Sequence, residues 1–131
     1  VVSGTAANSR AWVLDYDAKA IFHLTLDDAD WNLKVFSNPQ DIATNSQADL
    51  CWVADMDADI VYEIDEQKNI RAQVHNLGRP TDLYWNPYEQ NILVTGGDGT
   101  ISCLLPGGTV LWSTRLNNHP GQIVVQSFGT N

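Results

Sequence analysis

Basic residues are scarce in this chain. Seven Lys and Arg face 16 Asp and Glu, for a formal net charge of −9. Nucleic acid and anionic lipid both call for a basic footprint, so the composition argues against either as a general partner. Long apolar runs are missing as well. None approaches the roughly 18 residues that a membrane-crossing helix needs. Charge of either sign is thin, at 18% of residues, and five Trp are present, which argues against disorder.

Cysteine is equally sparse. Cys51 and Cys103 are the only two. One disulfide is arithmetically open, but two Cys do not make a disulfide scaffold. Both lie in strand-like runs, Asp49-Leu-Cys-Trp-Val and Ile101-Ser-Cys-Leu-Leu, and are expected to be small buried thiols. No CxxC, no Asn-x-Ser/Thr sequon and no signal peptide is seen. The first residue is Val rather than Met, so a processed product or a piece of a longer protein is expected. The compartment stays open.

Glutamate is the last shortage: 13 of the 16 acids are Asp and three are Glu. Asp disfavours helix interiors and favours turns, which points to a loop-rich β protein. The 131 residues suit one domain, and 44% hydrophobic content suffices for a core.

What is present is a repeat. Trp12-Val-Leu-Asp-Tyr-Asp-Ala, Trp52-Val-Ala-Asp-Met-Asp-Ala and Leu93-Val-Thr-Gly-Gly-Asp-Gly start 40 and 41 residues apart. A second anchor, Pro39-Gln-Asp-Ile-Ala, Pro80-Thr-Asp-Leu-Tyr and Pro120-Gly-Gln-Ile-Val, keeps spacings of 41 and 40. Each period reads as four short strands. An apolar run follows the Pro. A second run ends at an Asp-rich turn. A third alternates with period two, as in Ile60, Tyr62 and Ile64. A fourth covers Ile70 to His75, or Val110 to Leu116. Asp98-Gly99 and Gly107-Gly108 suit tight hairpin turns. Asp27 to Phe36 is the best helix candidate, but it aligns with a turn plus fourth strand elsewhere. Four antiparallel strands per 40 or so residues is the signature of a β-propeller blade. The fold expected is therefore all-β, with three four-stranded blades in a single unit of residues 1–131. The repeats run about 1–38, 39–79 and 80–119, and 120–131 starts a further innermost strand.

The middle repeat, Pro39-x-Asp-Ile-Ala, then Leu50-Cys-Trp-Val-Ala-Asp, then Ile60-Val-Tyr-Glu-Ile-Asp65, resembles NHL-type propeller repeats. Across its repeats the sequence departs in having Asp41, Asp82 and Gln122 in place of, or shifted against, the family's Gly, and Asp59 near its Arg. The third repeat, with Gly96-Gly-Asp-Gly-Thr-Ile and Gly107-Gly-x-Val-Leu-Trp112, is closer to quinoprotein-like propellers. Families of this kind include sugar lactonases, lyases, RNA-binding domains, sensor ectodomains and scaffolds, and the fold does not choose among them.

The resemblance also implies that the loops before each innermost strand share one face with the turns between second and third strands. That face would carry Asp15, Asp17, Asp55, Asp57, Asp59 and Asp98. Asn38, Arg79, Asn118 and His119 would join them, with Asp41 and Asp82 just beyond. Such a face suits a hard cation such as calcium, or a cationic or polyhydroxylated ligand. The competing reading is Asp in tight turns, bonding its own backbone. Asp55-x-Asp57-x-Asp59 with Glu66 mimics an EF-hand loop, but Ile60 stands where that loop needs Gly. His119, before Pro120, is the one His worth testing as a base or metal ligand. His23 and His75 read as structural or solvated.

No Ser-His-Asp order, phosphate-binding loop or His-Glu-x-x-His occurs, so the sequence leans away from an enzyme. Closed propellers use four to eight blades. Three blades are expected to pair as a homodimer, making a six-bladed ring, or to need blades from elsewhere. The function expected is a binding or scaffold module with its ligand on the acidic channel face. The alternative is a metal-dependent enzyme of the lactonase or lyase kind.

Overall fold

Twelve strands account for most of residues 2–3, 10–25 and 29–116, which are the residues the computed structural model describes. In the first blade β1 (Val2–Ser3), β2 (Arg10–Asp15), β3 (Ala20–Thr25) and β4 (Ala29–Leu33) pair in that order. In the second, β5 (Pro39–Thr44), β6 (Leu50–Asp55), β7 (Ile60–Asp65) and β8 (Ile70–His75) do the same. The third holds β9 (Pro80–Asn86), β10 (Asn91–Gly96), β11 (Thr100–Leu104) and β12 (Val110–Arg115). All pairings are antiparallel between neighbours in sequence. The described part of the helix candidate Asp27 to Phe36 is strand β4 followed by a connecting loop; residues 27–28 fall outside the described residues. Among the described residues no helix is long and apolar enough to cross a membrane.

Cross-strand partners share a face, so the register sorts each blade into two sides. Trp12, His23 and Trp31 stand opposite one another in the first blade. Trp52, Glu63 and Ala72 do so in the second, and Leu93, Cys103 and Trp112 in the third. This side, the front, packs on the rear of the next blade. The rear of the second blade presents Cys51, Val53, Tyr62 and Ile64 to Trp12 and Ile21. The rear of the third presents Ile92, Val94 and Leu104 to Trp52, Ala54 and Val61. The core therefore lies between the blades. A four-stranded sheet cannot bury both faces alone, so stacking supplies the stability.

Polar side chains lock these seams at one repeat position. Glu63 accepts hydrogen bonds from the Trp52 indole (3.1 Å) and from Gly107 N–H of the next blade (2.8 Å). His23, its counterpart in the first blade, lies between Trp12 and Trp31, stacked on the latter with ring centroids 5.4 Å apart. Its Nδ1 bonds Asp30 Oδ2 at 3.0 Å. Its Nε2 sits 3.3 Å from Glu66 Oε2 of the second blade, close enough for an ion pair but out of line for a hydrogen bond. Arg10 pairs with Glu66 as well, at 3.1 Å. Both cysteines are free and buried. Cys103 takes this same position in the third blade.

Trp85 settles on the seam between the second and third blades. It stacks on Trp52 with centroids 5.4 Å apart and planes 10° from parallel, and its indole donates to Ser46 Oγ at 3.2 Å.

Candidate functional site

The turns β2–β3, β6–β7 and β10–β11 gather at the end of the sheets where β5 and β9 begin. Tyr16 donates its hydroxyl to the Gln40 carbonyl (3.2 Å), Met56 N–H to that of Asn38 (3.1 Å), and Gly97 N–H to that of Arg79 (2.8 Å). The expected aspartates lie at this end but differ sharply in what they do.

Asp55 is fully buried. It accepts N–H groups from Ser37 (2.8 Å), Asn38 (2.9 Å) and Ala58 (3.4 Å), pinning the loop that enters the second blade. Asp59 does the same one blade on. Its carboxylate takes the N–H groups of Leu77 (3.2 Å) and Arg79 (2.9 Å). Its backbone sits at φ 54°, a conformation Asp tolerates better than most residues. Asp15 accepts from Ala18 N–H (3.0 Å) within its own turn. Asp98 is held by the Thr100 hydroxyl (2.6 Å) and amide (2.9 Å), which pull its carboxyl below the ordinary carboxylate range. These four carboxylates serve the backbone. The EF-hand mimic dissolves in the same way, since Ile60 to Asp65 is strand β7.

The third repeat reaches the same geometry without a buried carboxylate. Gly96 stands where Asp55 stands in the second blade. A Cβ there would meet the carbonyl oxygens of Leu77 and Gly78, so the incoming loop lies directly against the backbone. This close approach accounts for Gly96 standing where the second repeat has Asp55.

The remaining residues form an open polar group. Asp57 accepts from Asn38 Nδ2 (3.3 Å) and pairs with Arg79 Nη2 (3.2 Å), while Asn38 Oδ1 accepts from Gln40 Nε2 (2.7 Å). Asp17 is exposed in the first turn. His119 and Asn118 fall outside the described residues. Among the described residues no three His, Cys, Asp or Glu side chains are gathered to hold a metal.

Asp41 and Asp82 occupy one repeat position on the adjacent innermost strands β5 and β9, and their carboxyls hydrogen-bond each other. Asp41 also crosses the seam, accepting Leu83 N–H of the third blade at 2.8 Å as well as Ile42 N–H at 2.9 Å. Burial, then the hydrogen bond and negative charge of Asp82, push the Asp41 carboxyl up to about 7, against the pull of the two amides. A carboxyl whose folded value lies above its ordinary 3.8 favours folding while it keeps its proton. That contribution is whole below about pH 4 and is lost as the pH climbs through about 7. The full shift would be worth about 4 kcal/mol, and the half-buried position reduces this to about 2. Asp41→Asn is therefore expected to be about 2 kcal/mol more stable than the parent at pH 8, with the gap closing towards pH 4. Urea unfolding at several pH values checks this, and a gap that widens on acidification would contradict it.

Comparison with known proteins places this geometry. No protein-family model and no curated protein matches the chain. Solved structures do. Virginiamycin B lyase from Staphylococcus aureus superposes with a TM-score of 0.75 at 14% identity, covering 92% of this chain and 43% of that one. BBS1N, solved in complex with ARL6DN, gives 0.71 at 20% identity, covering 91% and 40%. A streptogramin B lyase gives 0.69 at 11%, covering 88% and 40%. The chain has a propeller-type fold and spans less than half the length of these propeller proteins.

Proposed function

We propose that this chain is half of a propeller that closes into a ring with a second copy and acts as a binding or scaffold module, its ligand or partner taken on the acidic channel face. The observation that carries the reading is the division among the aspartates. Asp55, Asp59 and Asp98 are spent on backbone N–H groups, while Asp57 stays on the open face with Asn38, Gln40 and Arg79, and Asp41 and Asp82 pair on the innermost strands. The capture of ARL6DN by the similarly folded BBS1N supports a protein partner. The NHL-type pattern of the middle repeat supports kinship with that group of propellers.

A second reading, a metal-dependent enzyme of the lyase kind, draws support from the two lyases of similar fold and from a carboxyl poised near neutrality on an innermost strand. A calcium-type cation on this face would take amide or backbone carbonyl oxygens or water beside its carboxylates, since no three His, Cys, Asp or Glu side chains gather among the described residues.

Titration with calcium chloride, and separately with spermidine as a cationic probe, tests the face. Amide NMR signals of Asn38, Asp57 and Arg79 should shift saturably with at least one probe, and Asp57→Ala should weaken that response about tenfold, the size of one charged hydrogen bond. Spectra unmoved by millimolar amounts of both would overturn the binding reading. Elemental analysis separates the two readings: a metal-free, EDTA-insensitive protein removes the enzyme.

A further inference from the structure

Both ends of the blade stack leave open a surface that is sealed at every internal seam. Val13 on the rear of the first blade is 41% exposed, while its repeat counterparts Val53 and Val94 are 0% and 1% exposed. Phe22 and Leu24 beside it are partly open, where the matching Tyr62, Ile64 and Leu104 are buried. On the front of the third blade Thr95 and Cys103 are covered, but the outer half of that face is not. Trp112 is 48% exposed and Leu116 45%. Trp112 stands opposite Cys103 as Trp31 stands opposite His23. Trp31 shows what this position does at a seam: its indole N–H reaches across to the Glu66 carbonyl of the next blade at 2.9 Å.

We infer that the ring closes front to rear, with Trp112 of one copy seated on the Val13, Phe22 and Leu24 face of the second. The inference rests on the pairing reading above and names its contact. The occupant follows from register. The rear of the first blade repeats the rear faces that already accept a blade of this chain, and the front of the third repeats the faces that are accepted. Two copies bury both kinds of face and supply six blades, within the range of four to eight that closes. A front-to-front pair would leave both rear faces bare. Front-to-rear contacts related by a two-fold axis close on themselves, whereas the same contact without closure grows filaments.

The test uses the chain with Trp112→Arg and with Val13→Arg. Both side chains are exposed, so the charge burdens the seam rather than the fold. Each variant alone should dissociate at concentrations where the parent is dimeric, by at least a hundredfold in dissociation constant, with the circular dichroism of the parent. Should either variant lose its fold, Trp112→Ser and Val13→Ser carry the same test. An equimolar mixture of the two Arg variants should regain a two-protomer species, because it restores one intact seam. A parent dimer insensitive to Val13→Arg, or a mixture that stays monomeric, overturns the front-to-rear contact while leaving pairing intact. A folded monomeric parent overturns the pairing reading itself.

Discussion

Asp55→Ala should lower the unfolding free energy by about 3–4 kcal/mol, the largest loss expected for any carboxylate on the acidic end. Its carboxylate is fully buried and carries the N–H groups of Ser37, Asn38 and Ala58. Alanine leaves those donors without their carboxylate partner and opens a cavity where the buried side chain stood. For a chain of this size the loss corresponds to a fall in Tm of about 10–15 °C. Asp17→Ala is the matched control. It removes the same charge from an exposed turn and should change stability by less than about 0.5 kcal/mol. Thermal unfolding of both variants decides the matter, and equal effects would mean that Asp55 acts through net charge rather than as a backbone clasp.

Trp52→Ala should cost still more, about 4–5 kcal/mol. The side chain is 2% exposed and fills the seam between the second and third blades. It stacks on Trp85, and its indole is one of two donors to the buried Glu63. Removal combines a large cavity with a carboxylate that keeps only Gly107 N–H from that pair. Trp52→Phe separates the two contributions. The ring largely fills the space, so the loss should shrink to about 1–2 kcal/mol, most of it the indole hydrogen bond. Urea denaturation measures both, and equal losses for Phe and Ala would show that packing in this seam is looser than described.

Much of the architecture was legible in the chain because a repeat constrains every copy at once. Two anchors in register fix strand order, and alternation in a run such as Ile60 to Asp65 fixes its faces. Trp12 and Trp52 hold one repeat position and share one role between blades. Trp85 has no such guide, since an innermost strand borders both the channel and the neighbouring blade; its unbroken register, with Leu83 opposite Val94 and Trp85 opposite Ile92, puts it on the rear face against Trp52. The site was half legible. Spacing gathers the aspartates at one end, but it cannot separate Asp55 from Asp57, two residues away in the same turn. One points its carboxylate at a loop 17 and 18 residues upstream in sequence, and the other sits in the open. The Asp41–Asp82 pair has its signal in the repeat. Equal repeat positions on adjacent innermost strands bring side chains together, so two acids there must share a proton or repel. The lock between His23, Glu66 and Arg10 had no such signal, because Gly107 in the next blade meets Glu63 through its backbone rather than through a charged group.

In the proposed ring these three blades are one half and a second copy is the other. Static light scattering of the 131-residue chain across a dilution series tests that claim most directly. The mass should be twice the 14.5 kDa protomer and fall only on high dilution. A constant mass of one protomer, with the strand signature of a folded protein, would contradict it.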